Sequence, residues 1–449
     1  MAGPSLGRVV GLWAGIAVGA TTAAPAQLVA DRTPLDSLVA LALRENQDLR
    51  AMESRAEAFE ARIGPAGAWD DPQLMMGVMN LPLPSFDFDG TPMTQAAAVQ
   101  LRQTIPFPGK LRLRTAAAEA EYATVSAEFA DRRFQIATSV RAAYYDLYAV
   151  EHSLGITRRH QELLSDFVRV ANVRYSVGSG LQQDVLKANV ELGRVRERLL
   201  QQLARREAAV ARLNALVNRS PETPIQASIL PSRLVELAFA GTDTSSLKFA
   251  SASAQASDIP SLSELVELAI EQRPILVAHR TRIERQELLT DLARKNLWPD
   301  FMFSIGYGYR GAGLEDFISA NVGIQLPIFA GRKQKPLIAA ARAAADQAET
   351  TYRETVNQIT ARLADLRARM VTLRAQLVLY RDGIVPQAAA ALQSAISAYQ
   401  VGNVDFLTLV TSEATLYRYE LDYHTLLAAF LSTVAEMELT VGREIFSNE

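Results

Sequence analysis

The chain has 449 residues and a formal net charge of −3, so it lacks the basic field that nucleic-acid binding needs and no nucleic acid is expected as a partner. It contains no cysteine, which removes disulfides, thiolate metal sites and a lipidated N-terminal cysteine. The hydrophobic share of 49% is carried largely by alanine, leucine and valine spread evenly, while proline and glycine are confined to short clusters.

At the N-terminus Arg8 precedes the apolar run Val9 to Ala20, followed by Ala24-Pro25-Ala26. This predicts a secretory signal peptide over 1–26, since a run of about a dozen residues is short of the ~20 a spanning helix needs. A helix is predicted over Leu35 to Ile63, then a weak strand with Leu74, Met76 and Val78 on one face, then a strand with Val99, Leu101 and Ile105 alternating against Gln100, Arg102 and Thr104. Leu111 to Tyr175 is rich in good helix formers and would be ~95 Å long, too long for the core of one compact globule. Its stripe of Val140, Ala143, Tyr144, Leu147 and Leu154 has coiled-coil spacing. A turn at Gly178 to Gly180 leads to a helix over Leu181 to Val217.

Residues 219–260 are rich in Ser, Ala, Pro and Thr and hold one short apolar piece, Ile229 to Phe239, which reads either as a tether or as packing around the waist of the bundle. The second half then repeats the first: a helix over Leu262 to Asn296, strands over Phe301 to Tyr309 and Phe317 to Leu326, a long helix over Leu337 to Tyr399, a turn at Gly402-Asn403 and a helix over Val404 to Val441. The strand Phe301 to Tyr309 puts Phe301, Phe303, Ile305, Tyr307 and Tyr309 on one face and Met302, Ser304, Gly306 and Gly308 on the other. Such strands fit a bilayer-spanning barrel facing lipid outside and water inside, and an open edge is not tolerated there, so copies of the chain must share one barrel. The predicted divisions are 27–218 and 261–442 for the two repeats, 219–260 between them and a tail over 443–449. The predicted external loops are Asn80 to Gln95 and Arg310 to Asp316.

Other apparent signals carry no chemistry. Gly306-Tyr307-Gly308-Tyr309-Arg310-Gly311 has dinucleotide spacing, but no helix opens at its end. Gly109-Lys110 lacks the earlier glycine of a phosphate loop and reads as a helix start. Met75 and Met76 point to opposite faces of their strand and cannot jointly grip a soft ion. His152, His160, His279 and His424 are read as surface histidines without metal-ligand spacing. No converging catalytic group, metal site or cofactor is expected.

Six motifs in order carry a resemblance: Leu35 to Asn46 and its echo from Leu262, Ile105-Pro106-Phe107 and Leu326-Pro327-Ile328-Phe329, and Tyr175-x-x-Gly178 with Asp184 beside Tyr399-x-x-Gly402. In these the chain resembles the TolC-like outer membrane factors, the exit ducts of tripartite efflux and secretion systems. The resemblance implies a mainly α fold of long helical hairpins in two repeats, with four strands per chain entering a trimeric twelve-stranded barrel in outer membrane lipid above a long periplasmic helical part. It implies a homotrimer docked to a periplasmic adaptor and an inner-membrane pump, with a gate at the periplasmic tip. The gate or latch candidates are Asp184, Tyr399, Thr408 and Thr411, where the two threonines leave the gate polar rather than charged. The adaptor-contacting candidates are Arg174, Tyr175, Gly178, Gly402 and Asn403, and the lumen candidates are Gln100, Arg102, Asn321 and Gln325. Pro106-Phe107-Pro108-Gly109-Lys110 is similar to the heavy-metal branch and implies metal ions as cargo, with drugs, small organic molecules or secreted proteins as alternatives. A soluble periplasmic coiled-coil protein, the remaining alternative, would give no reason for the aromatic alternation at Phe301 to Tyr309.

Overall fold

A computed structural model describes residues 34–80, 83, 95–227, 230–239, 259–310 and 313–446. The signal segment over 1–26 and most of the predicted Asn80 to Gln95 loop lie outside these residues, and Gln95 itself begins a strand. The first half runs α1 (Leu35–Glu45), α2 (Gln47–Glu60), α3 (Ile63–Gly67), β1 (Gln73–Met79), β2 (Gln95–Ile105), α4 (Lys110–Ser176) and α5 (Gln182–Leu216). After α6 (Ser232–Phe239), the second half runs α7 (Leu262–Gln272), α8 (Pro274–Lys295), β3 (Asp300–Tyr309), β4 (Phe317–Gln325), α9 (Gln334–Leu379), a π-turn (Tyr380–Ile384), α10 (Val385–Gln400) and α11 (Phe406–Val441).

Three predicted single helices are broken, each for a local reason. Within Leu35 to Ile63, Asn46 leaves the helical region, accepts from the Asp48 and Leu49 amides at 3.0 and 3.3 Å, and donates to the Leu216 carbonyl at 2.9 Å. It therefore caps α2 and ties it to the end of α5. Within Leu262 to Asn296 the break falls at Arg273, because Pro274 disfavours helical backbone in the residue before it and fits the first position of α8. Within Leu337 to Tyr399, Pro386 has no N–H and its ring crowds the carbonyl one turn back, and the π-turn sits just before it. By contrast α4 continues through Gly155 for 67 residues, about 100 Å.

The strands form one antiparallel sheet in the order β1-β2-β3-β4, with β1 and β4 as its edges. Register aligns Met76, Val99, Tyr307 and Ile318 in one row and Leu74, Leu101, Ile305 and Ala320 in the next, so one face is a continuous apolar band. The opposite face aligns Gln73, Arg102, Ser304 and Asn321. The band stays bare in a single chain: Met76 is 74% exposed, Ile305 56% and Ile318 80%.

The helices share two cores. The larger one lies at the waist, where Leu38 and Leu265 from α1 and α7 meet Val140, Tyr144 and Leu147 of α4, Leu363 of α9 and Phe430, Leu431 and Val434 of α11. Leu234 and Ala238 of α6 join it, so this piece of the inter-repeat segment packs on the waist. The second core lies toward the turns and is built from Leu164, Phe167 and Ala171 of α4, Ala188 and Leu192 of α5, Leu392 and Tyr399 of α10, and Phe406 and Leu409 of α11.

Candidate gate at the hairpin tips

Each hairpin turns on a glycine in the left-handed region, Gly178 at φ 73° and Gly402 at φ 82°, where a side chain would be strained. The turns close alike: the Ser179 amide donates to the Arg174 carbonyl and the Asn403 amide to the Ala398 carbonyl, both at 2.9 Å. Because the hairpin ends pack on one core, the two turns come side by side and enclose a cleft of about 370 Å³. Its walls include Arg174, Asp184, Lys187, Tyr399, Asp405 and Phe406.

Arg174 is the link between the hairpins. Its guanidinium lies 4.7 Å from the centre of the Tyr399 ring, donates to the Tyr399 carbonyl, and donates to the Ser179 carbonyl of its own turn at 3.3 Å. Tyr399 is 4% exposed and meets Phe406 edge to face at 5.7 Å. Burial raises the Tyr399 pKa above its ordinary value, the Asp184 charge adds to this, and the Arg174 charge opposes it. The phenol therefore stays neutral at physiological pH.

The structure thus brings Asp184, Tyr399, Arg174, Gly178 and Gly402 together within one chain. Asp184 also lies in the first turn of α5, where a carboxylate complements the helix dipole. Tyr175 is 48% exposed and is not part of the cleft wall, and Asn403 is exposed on the second turn. Thr408 and Thr411 are exposed on α11, and Thr411 returns its hydroxyl to the Leu407 carbonyl at 2.7 Å. A carboxylate, Asp405, stands next to these threonines at the start of α11. It caps α11, accepts from the Thr408 amide at 2.8 Å and hydroxyl at 2.6 Å, and is exposed; these hydrogen bonds hold its pKa below the ordinary value. The signal was an aspartate three residues before a threonine at a helix start.

In the sheet, Gln100 donates to the Ser304 hydroxyl at 3.1 Å, and Arg102 and Asn321 flank Ser304 in register. Gln325 pairs with Asp300 at the strand end.

The reading of the histidines as surface residues is corrected. His160 of α4 is 4% exposed and is held against α11, with Nδ1 2.8 Å from Glu413 and Nε2 3.1 Å from Glu420. Burial acts to lower its pKa, but the hydrogen bonds and charges of the two carboxylates outweigh it and the net direction is up. Above this layer Thr157, Tyr417 and Gln202 join by hydrogen bonds of 2.8 to 2.9 Å. His424 packs on His152 at 4.6 Å, and burial, reinforced by the His152 charge, lowers its pKa to about 4. Glu413 and Glu420 lie seven residues apart and so share one helix face, the signal that could have found this layer. Among the described residues no group of three or more His, Cys, Asp or Glu could hold a metal ion.

The family model of outer membrane efflux proteins matches residues 38–219 and 265–443. A curated relative, the cobalt-zinc-cadmium resistance protein CzcC of Cupriavidus metallidurans, is 23% identical over 91% of this chain and 90% of its own length. Among solved structures, the outer membrane protein VceC of Vibrio cholerae covers 91% of this chain and 96% of its own at a TM-score of 0.73 and 22% identity. CusC covers 92% and 93% at 0.74 and 16%. Two helical repeats, a four-stranded membrane sheet and a family match over both repeats make the chain a member of the outer membrane efflux protein family, the exit ducts of efflux systems.

Proposed function

We propose that the chain works as a homotrimeric duct carrying metal cations from the periplasm to the exterior, docked to a periplasmic adaptor and an inner-membrane pump and shut at rest by its hairpin tips. The cluster joining Arg174, Tyr399 and Asp184 carries the gating part of this reading, because it fastens the second hairpin to the first where both turn. Its strength suits a gate. A cation–π contact contributes about 0.5–2 kcal/mol and a hydrogen bond from a charged donor about 1.5–3, so one chain holds its tip closed by a few kcal/mol. Docking of an adaptor can supply that much. The adaptor surface is taken to be the exposed turn residues, Tyr175 and Asn403 among them.

The cargo reading is supported by the likeness to the cobalt-zinc-cadmium resistance protein. A conduit needs no fixed metal site, since ions that bind tightly do not leave. Arg174→Ala should raise single-channel conductance in planar bilayers while the native mass of the assembly stays unchanged, and an unchanged conductance in intact assemblies would remove this cluster from the gate. For the cargo, the duct is supplied to cells that hold the adaptor and pump but lack their own duct. Regained tolerance to zinc, cobalt or cadmium is expected, and regained tolerance to organic drugs alone would overturn the metal reading.

A further inference from the structure

The chain contains, once and complete, a joint between the foot of one repeat's sheet and the start of the other's. At the exit of β2 the Phe107 ring stacks on Trp298 at 5.2 Å with the planes 19° apart. Lys110, 3% exposed, reaches the Asp300 carboxylate at 2.7 Å and the Trp298 carbonyl at 3.0 Å, while the Phe107 amide donates to the same carboxylate oxygen at 2.7 Å. The joint thus consists of Trp-x-Asp at the foot of one strand and an aromatic and a cation after the next.

Both parts occur a second time, and there they meet no counterpart among the described residues of the chain. The internal repeat fixes their equivalence through strand register: Gln73 opposite Arg102 and Leu74 opposite Leu101 are answered by Met302 opposite Gly323 and Phe303 opposite Val322. By this correspondence Trp69 and Asp71 before β1 stand where Trp298 and Asp300 stand before β3. After β4 a segment one residue longer supplies Phe329, Gly331 and Arg332 in place of Phe107, Gly109 and Lys110. Trp69 is 59% exposed and Phe329 70%, and Asp71 and Arg332 are both exposed. These halves lie at opposite edges of the sheet, beside the unpaired strands β1 and β4.

We propose that Phe329 and Arg332 of one chain close on Trp69 and Asp71 of the next copy, repeating between chains the joint that Phe107, Lys110, Trp298 and Asp300 make within one. The same operation sets the register of the strands that meet there. Gln103 opposite Phe303 and Leu101 opposite Ile305 become Ile324 opposite Leu74 and Val322 opposite Met76 of the next copy. All four of these residues lie on the apolar face of the sheet, so the band continues across the joint without a change of side. The aromatic pair stands beside the ion pair, as it does beside Lys110, and the exposed apolar surface at Trp69 and Phe329 is the part of each chain that this contact buries.

The proposal rests on the trimeric reading and is tested in full-length protein in its membrane. Because the chain has no cysteine, Met76→Cys with Val322→Cys reports one contact. Within a chain these positions lie on opposite edges of the sheet, at least three strand spacings or about 14 Å apart, too far for a disulfide. Oxidation should therefore link most chains into covalent trimers. The shifted pair Val78→Cys with Val322→Cys should link at least about tenfold less, since two residues of slip carry the Cα atoms beyond ~7 Å. Asp71→Arg and Arg332→Asp should each lower the temperature at which trimers dissociate in dodecyl sulfate, and together should restore it. A trimer that links at the shifted pair, or that the charge swap fails to restore, overturns the joint and leaves the trimer standing. A chain of monomeric native mass that links at neither pair overturns both.

Discussion

Removing either member of the buried His160–Glu413 pair should destabilise the tip by unequal amounts, and removing both should not. Glu413 is 3% exposed, and His160 is the partner that neutralises it. In His160→Leu that carboxylate stays buried with its charge uncompensated, which costs about 3–5 kcal/mol. In Glu413→Leu the imidazole keeps Glu420 at 3.1 Å and can also shed its proton, so the loss falls to about 1.5–3 kcal/mol, that of a hydrogen bond to a charged group. The double replacement removes both buried charges, leaves Glu420 paired with Arg159 at 3.4 Å, and should return to within about 1 kcal/mol of the parent. Hydrogen exchange of the amides between 157 and 171, followed by mass spectrometry in detergent, reads these differences as opening free energies. The first variant should lose about a thousandfold in protection, the second about ten- to a hundredfold, and the double variant little, at 1.4 kcal/mol per tenfold. Equal losses for the two single variants, or a double variant as unprotected as their sum, would refute the reasoning.

The two buried histidine sites should give stability opposite dependence on pH. The raised pKa of His160 contributes stability that is complete below about 6.5 and is lost as pH rises through its folded value, whereas the lowered pKa of His424 contributes stability that is complete above about 6.5 and is lost as pH falls toward about 4. The His424 contribution is about 3 kcal/mol at most, so thermal melts from pH 4 to 9 should show an acid limb that His424→Gln flattens and an alkaline limb that His160→Gln flattens. Exchange of those limbs between the variants would mean the directions are reversed. Gly442 caps α11 at φ 82°, and a Cβ there would stand 2.6 Å from Arg273 Cα, so Gly442→Ala should lower the melting temperature by the equivalent of about 2 kcal/mol or more. Gly193, with open space around it in α5, should be raised slightly by the same change.

How much could be read from the sequence differs between periodic and irregular features. The repeat, the strand faces and the turns at Gly178 and Gly402 were legible because side-chain alternation and left-handed glycine are local properties of the chain. The break at Pro274 was legible in principle, since proline restricts the residue before it, yet the unbroken apolar spacing from Leu262 suggested continuity. At Asn46 only the local half could be read: its cap on the Asp48 and Leu49 amides depends on neighbouring residues, whereas its hydrogen bond to the Leu216 carbonyl, 170 residues away, does not. The same limit hid His160, whose burial depends on where α11 crosses α4, and Lys110, which is drawn inward by Asp300 across the strand pair. At the hairpin tips, Asp184 and Tyr399 could be named from their motifs, but the contact of Arg174 with the Tyr399 ring and carbonyl showed itself only once the two turns lay side by side.

The halves are alike in plan and unlike in stiffness, and the polar layer lies where that difference matters. α4 runs unbroken to the tip, whereas the matching stretch of the second half changes pitch at the π-turn before Pro386 and continues as α10. A proline with a π-turn is a place where a helix bends, and opening would be expected to use it in the second half rather than the unbroken α4. α11 is the helix that returns from the second tip, and Glu413 on it is tied to His160 on α4. Apolar side chains can slide past one another with small loss, but a hydrogen bond between buried charged groups weakens steeply with angle and distance. The layer should therefore resist opening more than its net stability suggests. Replacing both His160 and Glu413 by leucine should leave the resting tip nearly as stable as before and still raise its conductance under an adaptor or a voltage that favours opening. A double variant with parental stability and parental conductance would place the resistance wholly at Arg174 and Tyr399.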